Sequence, residues 1–376
     1  MNNKRIWLSS PHMGGNELKY INDAFQKNWI APVGPHLDIF ESKISAISND
    51  HYVAALSSGT SAIHLALILL GIKQNDEVIC SSFTFSASAN PIVYQGAKPI
   101  FVDSEYDTWN MSPEYLDDAI RDRMSKGKKP KAIILVHLYG MPAKMNEILM
   151  ISKKYDIPII EDAAEALGSS YHGLPLGTLT KCGVFSFNGN KIITTSSGGA
   201  LVSSEKKMIE KAKFLATQAR DNKPYYEHSN IGYNYRLSNI SAAIGIGQLE
   251  KLEDRVARRR EIFEIYKDQL SEIEEIGFID EPENFYSNRW ITTITISKGS
   301  QVGPEDIRQK LESSNIESRP LWKPMHLQPI FNECKIYGGD ISKSLFNHGL
   351  CLPSGSNMSE SDLDRVIKEI KKSFEK

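Results

Sequence analysis

The stretch Phe185-Ser186-Phe187-Asn188-Gly189-Asn190-Lys191-Ile192-Ile193-Thr194-Thr195-Ser196-Ser197-Gly198-Gly199 holds a single lysine between two short apolar runs, followed by a Gly-Gly turn. A lysine so placed is positioned like a reactive amine. Upstream, Ile157-Pro158-Ile159-Ile160-Glu161-Asp162-Ala163-Ala164-Glu165-Ala166 reads as a buried strand that ends on a carboxylate. A third segment, Ser57-Ser58-Gly59-Thr60-Ser61, directly precedes the apolar helix-like run from Ala62 to Leu70. Hydroxyl residues and a glycine at a helix N-terminus present free backbone N–H groups to an anion, and the helix dipole favours it. Each feature alone has a plainer account: a solvated surface lysine, a strand-end helix cap, a Ser/Thr cap. Together they supply what pyridoxal 5'-phosphate (PLP) chemistry requires. That chemistry needs an amine for the covalent link, an acid that keeps the pyridine nitrogen protonated, and a phosphate cradle.

Composition agrees with a soluble enzyme. The chain has 376 residues, which suggests more than one domain, and 41% hydrophobic content, enough for a sizeable core. A formal charge of −2 gives no global attraction to nucleic acid or membrane, so an anionic ligand must be met by local cations. Cys80, Cys182, Cys334 and Cys351 are widely spaced without a CxxC pair. This argues against a metal site or a disulfide framework and fits a reducing compartment. The first residues carry too short an apolar run for a signal peptide, and no stretch reaches the roughly 20 apolar residues of a membrane span. The expected setting is the cytoplasm.

Strand-like segments at Glu77 to Ser82, Pro99 to Asp103, Ala132 to His137, Ile157 to Glu161, Gly183 to Phe187 and Ala200 to Ser203 alternate with helical patterns. The helical patterns are Ala62 to Leu70, Pro113 to Arg123 and Lys144 to Tyr155. This order predicts an α/β fold with a mostly parallel sheet, whose ligands gather at the carboxyl ends of the strands. Asp162, Phe85, His137 and Ser186 all fall at or near such ends. A long helical pattern from Ser238 to Ser271 leads into an α+β region with a strand Trp290 to Ile296 and helices Pro304 to Ser313 and Ser359 to Phe374. The expected division is 1–250 for a large cofactor-binding domain and 251–376 for a small C-terminal one. Arg319-Pro320-Leu321-Trp322-Lys323-Pro324-Met325-His326 cannot be a regular helix and reads as a ligand loop.

Six ordered motifs carry a resemblance that runs nearly end to end. They are Ser57-Ser58-Gly59-Thr60, Ser82-Phe83-Thr84-Phe85, Val136-His137-Leu138-Tyr139-Gly140, Glu161-Asp162-Ala163-Ala164, Ser186-Phe187 followed by Lys191, and Gly232-Tyr233-Asn234-Tyr235-Arg236. The chain resembles the DegT/DnrJ/StrS sugar aminotransferases, a PLP family with the type I, aspartate aminotransferase-like fold. That fold has a large α/β domain around a mixed, mostly parallel sheet and a smaller α+β domain. The segment from Ser10 to Glu17 and the Arg319-to-His326 loop resemble a narrower branch, which contains the UDP-4-amino-4,6-dideoxy-N-acetylglucosamine transaminases of the bacillosamine pathway and similar polysaccharide enzymes.

The resemblance implies roles for individual residues. Lys191 links covalently to the cofactor and shuttles the proton, and Asp162 pairs with the pyridine nitrogen. Phe85 stacks on the ring, while Gly59, Thr60 and Ser186 bind the phosphate. Asn234 reaches the phosphate of the partner subunit in a homodimer with shared sites. Glu165 stands where relatives carry Gln, His or Glu near the ring hydroxyl. Trp29, Arg319, Trp322, Lys323 and His326 are candidates for the nucleotide-linked sugar. Implied is transfer of an amino group from an amino acid, with glutamate the expected donor, to the C4 keto group of UDP-4-keto-6-deoxy-N-acetylglucosamine. Transfer to another keto sugar nucleotide (C3 keto, or dTDP- or GDP-linked) is the alternative. A PLP-dependent sugar dehydratase would carry histidine in place of Lys191. A non-catalytic sugar-nucleotide binder would have no use for the Lys191–Asp162 pair. A nicotinamide-dependent epimerase lacks support, since no GxGxxG follows a predicted strand.

Overall fold

Strands four or five residues long, rich in Ile, Val, Leu and Ala, are buried on both faces when helices cover both sides of a sheet. In Ala132–Val136 the side chains of Ile133 and Leu135 enter one core while those of Ala132 and Ile134 enter the other. The structure, a computed structural model, describes residues 4–375. Its main sheet has eight strands. In spatial order they are Tyr52–Leu56, Gly199–Ser203, Cys182–Ser186, Ile159–Asp162, Ala132–Val136, Glu77–Ser81, Lys98–Val102 and Lys335–Tyr337. Gly199–Ser203 runs antiparallel to both neighbours, and every other pair is parallel. The expected mixed, mostly parallel sheet is therefore present. Helices Gly59–Leu69, Ser86–Tyr94, Pro113–Ser125 and Met145–Tyr155 provide crossovers between its strands.

Tyr52–Leu56 and Lys335–Tyr337 were not among the expected strands. The second lies beyond residue 250, yet it pairs with Lys98–Val102 and covers a sheet edge that would otherwise leave backbone groups unmatched. The single helix expected from Ser238 to Ser271 is two helices, Asn239–Leu249 and Leu252–Gln269. The Lys251 N–H closes on Gln248 three residues back, which ends the first helix and lets the second leave in a new direction. Apolar periodicity runs through such a break because it records faces, not axes.

The C-terminal part builds a four-stranded antiparallel sheet in the order Ile276–Phe278, Thr293–Ile296, Gly349–Cys351, Arg319–Pro320. Helices Pro304–Ser313 and Glu360–Phe374 contribute to its core, and Ser359 caps the second. The strand expected from Trp290 begins only at Thr293. Asn288 turns its side-chain carbonyl onto the Trp290 N–H, and Arg289 takes a positive φ of 49°, so the chain bends before it extends.

Candidate active site

The carboxyl ends of the parallel strands and the start of Gly199–Ser203 share one edge of the main sheet, where a cleft of about 250 Å³ opens. Period-2 alternation decides which carboxylate reaches it. Asp162 shares a strand face with Ile160, toward helices Gly59–Leu69 and Ser86–Tyr94. Ser88 Oγ donates to its Oδ2 at 2.6 Å, the Ala164 N–H donates to its Oδ1 at 3.2 Å, and Thr84 Oγ1 lies 2.7 Å from the Ser88 hydroxyl. The carboxylate is thus oriented from behind and lines the cleft. Thr84 belongs to the Ser82-to-Phe85 motif, but Ser88 carries no sequence signal, because a serine inside a helix reads as neutral.

Glu161 points the opposite way. It accepts the N–H groups of Gly177 and Leu179, each at 2.7 Å, and stands 3.1 Å from His137 Nε2. The Ala143 N–H donates to His137 Nδ1, so Nε2 carries the proton toward Glu161. The strand-end position of His137 suggested that it delivers chemistry to the shared edge. Instead it is fully buried in an internal hydrogen-bond network and does not line the cleft.

Helix Gly59–Leu69 begins at the cleft, with Ser58 Oγ accepting the Ser61 N–H at 3.0 Å. That leaves the first helical N–H groups, those of Gly59 and Thr60, for an anion. The surroundings are packed to backbone distance. A Cβ on Gly59 would meet Ser186 Cβ at 3.2 Å, and one on Gly199 would meet the Gly59 nitrogen at 2.4 Å. Gly199→Ala must therefore push the turn at Ser58 and Gly59 out of place. Its PLP dissociation constant is expected to rise at least about tenfold, within the usual cost of overpacking. A fluorescence titration of cofactor-free protein with PLP measures this, and an unchanged constant would show that the turn is not the cradle.

Lys191 is nearly buried, with Nζ 3.5 Å from Glu165 Oε1 and 4.0 Å from the centre of the Trp290 ring. Burial raises the Glu165 carboxyl above the usual carboxylate range, and the Lys191 charge opposes that shift. Glu165 Oε2 also accepts the Tyr139 N–H at 2.6 Å. Tyr139 presents this group from a positive φ of 53°, a conformation that a tyrosine holds only when its neighbours enforce it. The Phe85 ring, 57% exposed, stands at the cleft 6.0 Å from the Trp322 ring and offers a flat apolar face.

The remaining candidates are spread out. Ser186 and Trp322 line the cleft. The Trp322 indole N–H is buried and has no partner among the described residues. Lys323 lies in an adjoining recess with Asn90 and Gln328, which shares Thr84, Phe85 and Trp322 with the cleft. Three expected substrate residues do not reach the cleft within one chain. Arg319 is held by Glu317 at 2.8 Å, and His326 turns Nδ1 inward to Ser82 Oγ at 2.7 Å. Trp29 is exposed, with its carbonyl held by Asn239. Asn234 is also exposed and outside the cleft, its side-chain oxygen accepting from Gln218 at 3.2 Å. Trp290, Asn188 and Asn190 line the cleft without having been expected there.

Amine, carboxylate, flat apolar face and the N-terminal turn of helix Gly59–Leu69 thus line one cleft, and these residues fit PLP. Comparison with known proteins points the same way. The DegT/DnrJ/EryC1/StrS aminotransferase family model matches residues 11–371. The chain is 52% identical over 369 residues to EpsN of Bacillus subtilis (strain 168), provisionally named a pyridoxal phosphate-dependent aminotransferase, covering 97% of this chain and 95% of that protein. It is 37% identical to a GDP-perosamine synthase of Escherichia coli O157:H7, covering 98% of each. A crystal structure of a DegT DnrJ EryC1 StrS aminotransferase from Brucella abortus superposes with a TM-score of 0.89 at 29% identity, covering 96% of each chain.

Proposed function

The chain belongs to the DegT/DnrJ/EryC1/StrS aminotransferase family, whose cofactor is PLP, and we propose that it aminates the C4 keto group of a nucleotide-linked sugar. The proposed acceptor is UDP-4-keto-6-deoxy-N-acetylglucosamine, and the proposed donor is glutamate. The observation that carries this reading is the recess running from the cleft past Phe85 and Trp322 to Lys323. It extends the site well beyond the amine and offers a cation for a diphosphate, together with an indole N–H that has no partner among the described residues. Residues 1–250 supply the cofactor-holding groups in this reading, and 251–376 supply Trp290 beside the amine and the Trp322–Lys323 wall.

When bound, PLP supplies an electron sink and carries the amino group between two half-reactions. Asp162 holds the proton on the pyridine nitrogen. Gly59, Thr60 and Ser186 hold the phosphate, and Phe85 fixes the plane of the ring. Lys191 Nζ takes the proton from the amino-acid carbon in the first half-reaction and delivers one to the sugar carbon in the second. Glu165, 3.5 Å away, orients that amine. The setting proposed is the cytoplasm; no helix among the described residues is long and apolar enough to cross a membrane.

The test is incubation with PLP, glutamate and UDP-4-keto-6-deoxy-N-acetylglucosamine, with the product identified by mass and NMR. Parallel reactions use GDP- and dTDP-linked keto sugars. The likeness to a GDP-perosamine synthase favours a GDP-linked sugar as the second reading, and amination of that substrate alone would select it.

A homodimer with shared sites is part of the proposal. Asn234 is exposed and away from the cleft of its own chain, and its side-chain bond to the likewise exposed Gln218 leaves it within reach of a neighbour. Mixing Lys191→Ala chains with Asn234→Asp chains puts both defects in one site of the mixed dimer and neither in the other. Random exchange is expected to restore about a quarter of wild-type activity, half the dimers being mixed and half their sites intact. Subunit exchange without recovery would refute sharing.

A further inference from the structure

Arg259 is a buried cation that the transamination steps leave unused. It lies in helix Leu252–Gln269 at 1% exposure, and among the described residues no carboxylate pairs with it. Its Nε has no partner there either. Burying an unpaired guanidinium is strongly unfavourable, and burial, with Arg255 adding to it, pushes its pKa down to about 9. A group kept under such conditions is held for its hydrogen bonds.

Those bonds lead to Lys191. Arg259 Nη2 donates to Ser9 Oγ at 2.9 Å, and Nη1 donates to the Trp290 carbonyl. Ser9 Oγ donates to the Asn190 carbonyl at 2.7 Å, and Trp290 Nε1 donates to the same carbonyl at 2.7 Å. Asn190 immediately precedes Lys191, and the Trp290 ring lies 4.0 Å from Lys191 Nζ. Residues 187–198 contain neither helix nor strand, so no regular backbone ladder fixes the lysine.

We infer that Arg259, Ser9 and Trp290 are positioning residues for Lys191. One guanidinium fixes two donors that clamp the carbonyl beside the amine, and the indole face sets where the amine rests. The inference rests on Lys191 being the reactive amine of the proposed function.

Ser9→Ala and Trp290→Phe each remove one donor, and Phe keeps an aromatic face under the amine. Because either donor alone still holds the carbonyl, each single change is expected to lower kcat only about threefold. The pair is expected to lower it about a hundredfold, more than the product, with KM for glutamate changed far less. In cofactor-free protein, hydrogen exchange of residues 188–193 is expected to quicken in the pair while strand Thr293–Ile296 keeps its protection. Arg259→Lys retains the charge but lacks the planar fork whose two nitrogens span the two acceptors, and it is expected to fall between the singles and the pair. Losses that merely multiply, unchanged exchange at 188–193, faster exchange throughout the chain, or a wild-type Arg259→Lys would each overturn the inference. Exchange without cofactor does not depend on the reaction, so failure of this clamp is distinguishable from failure of the proposed function.

Discussion

Lys191→Ala is expected to lower transamination by several orders of magnitude, as for the loss of a covalent catalyst. The change removes both the linking amine and the only group proposed to move the substrate proton. The fold should survive. Glu165 loses its partner at 3.5 Å but keeps the Tyr139 N–H on its other oxygen. PLP should still bind through the turn at Gly59 and Thr60. The variant is therefore expected to take up cofactor without the absorbance band of the lysine-linked form and to show no turnover. Near-normal transamination would sink the assignment of Lys191.

Asp162→Asn is expected to keep the structure and lose about 10²–10⁴-fold in kcat, the range for a well-placed proton-holding group. The amide has the same shape. The Ser88 hydroxyl, 2.6 Å from Oδ2, can rotate to accept from the new NH₂, and the Ala164 N–H can keep its bond to the remaining oxygen. What disappears is the negative charge that holds a proton on the pyridine nitrogen. Parallel measurement of kcat and thermal stability separates the two roles. Full kcat would make Asp162 a structural cap, and a collapse in stability with proportional loss of activity would make it a packing residue.

The sequence by itself determined the parts whose signals are local. Apolar runs of four or five residues marked most of the strands of the main sheet, and hydroxyls before a helical run marked the turn at Ser58, Gly59 and Thr60 that opens helix Gly59–Leu69. Lys191 and Asp162 stood out because each follows or ends a short buried run. These features come from nearest-neighbour chemistry, so they are legible without the fold.

The tertiary structure alone decided which groups share a space. Glu161 and Asp162 are adjacent in sequence, but alternation sends one to His137 and the other to the cleft. His326 looked like a ligand residue and instead anchors its loop on Ser82, 244 residues away. Ser88, Trp290 and Arg259 gained their places only when helix and strand axes were set. Lys335–Tyr337 joined the main sheet because its edge offered unmatched backbone groups. Side-chain period records a face and a burial, while a contact depends on what packs against that face. The Lys191 amine meets Glu165 and Trp290, and the carbonyl before it is held by Trp290 and by Ser9, which Arg259 bonds in turn, positions that no local pattern connects.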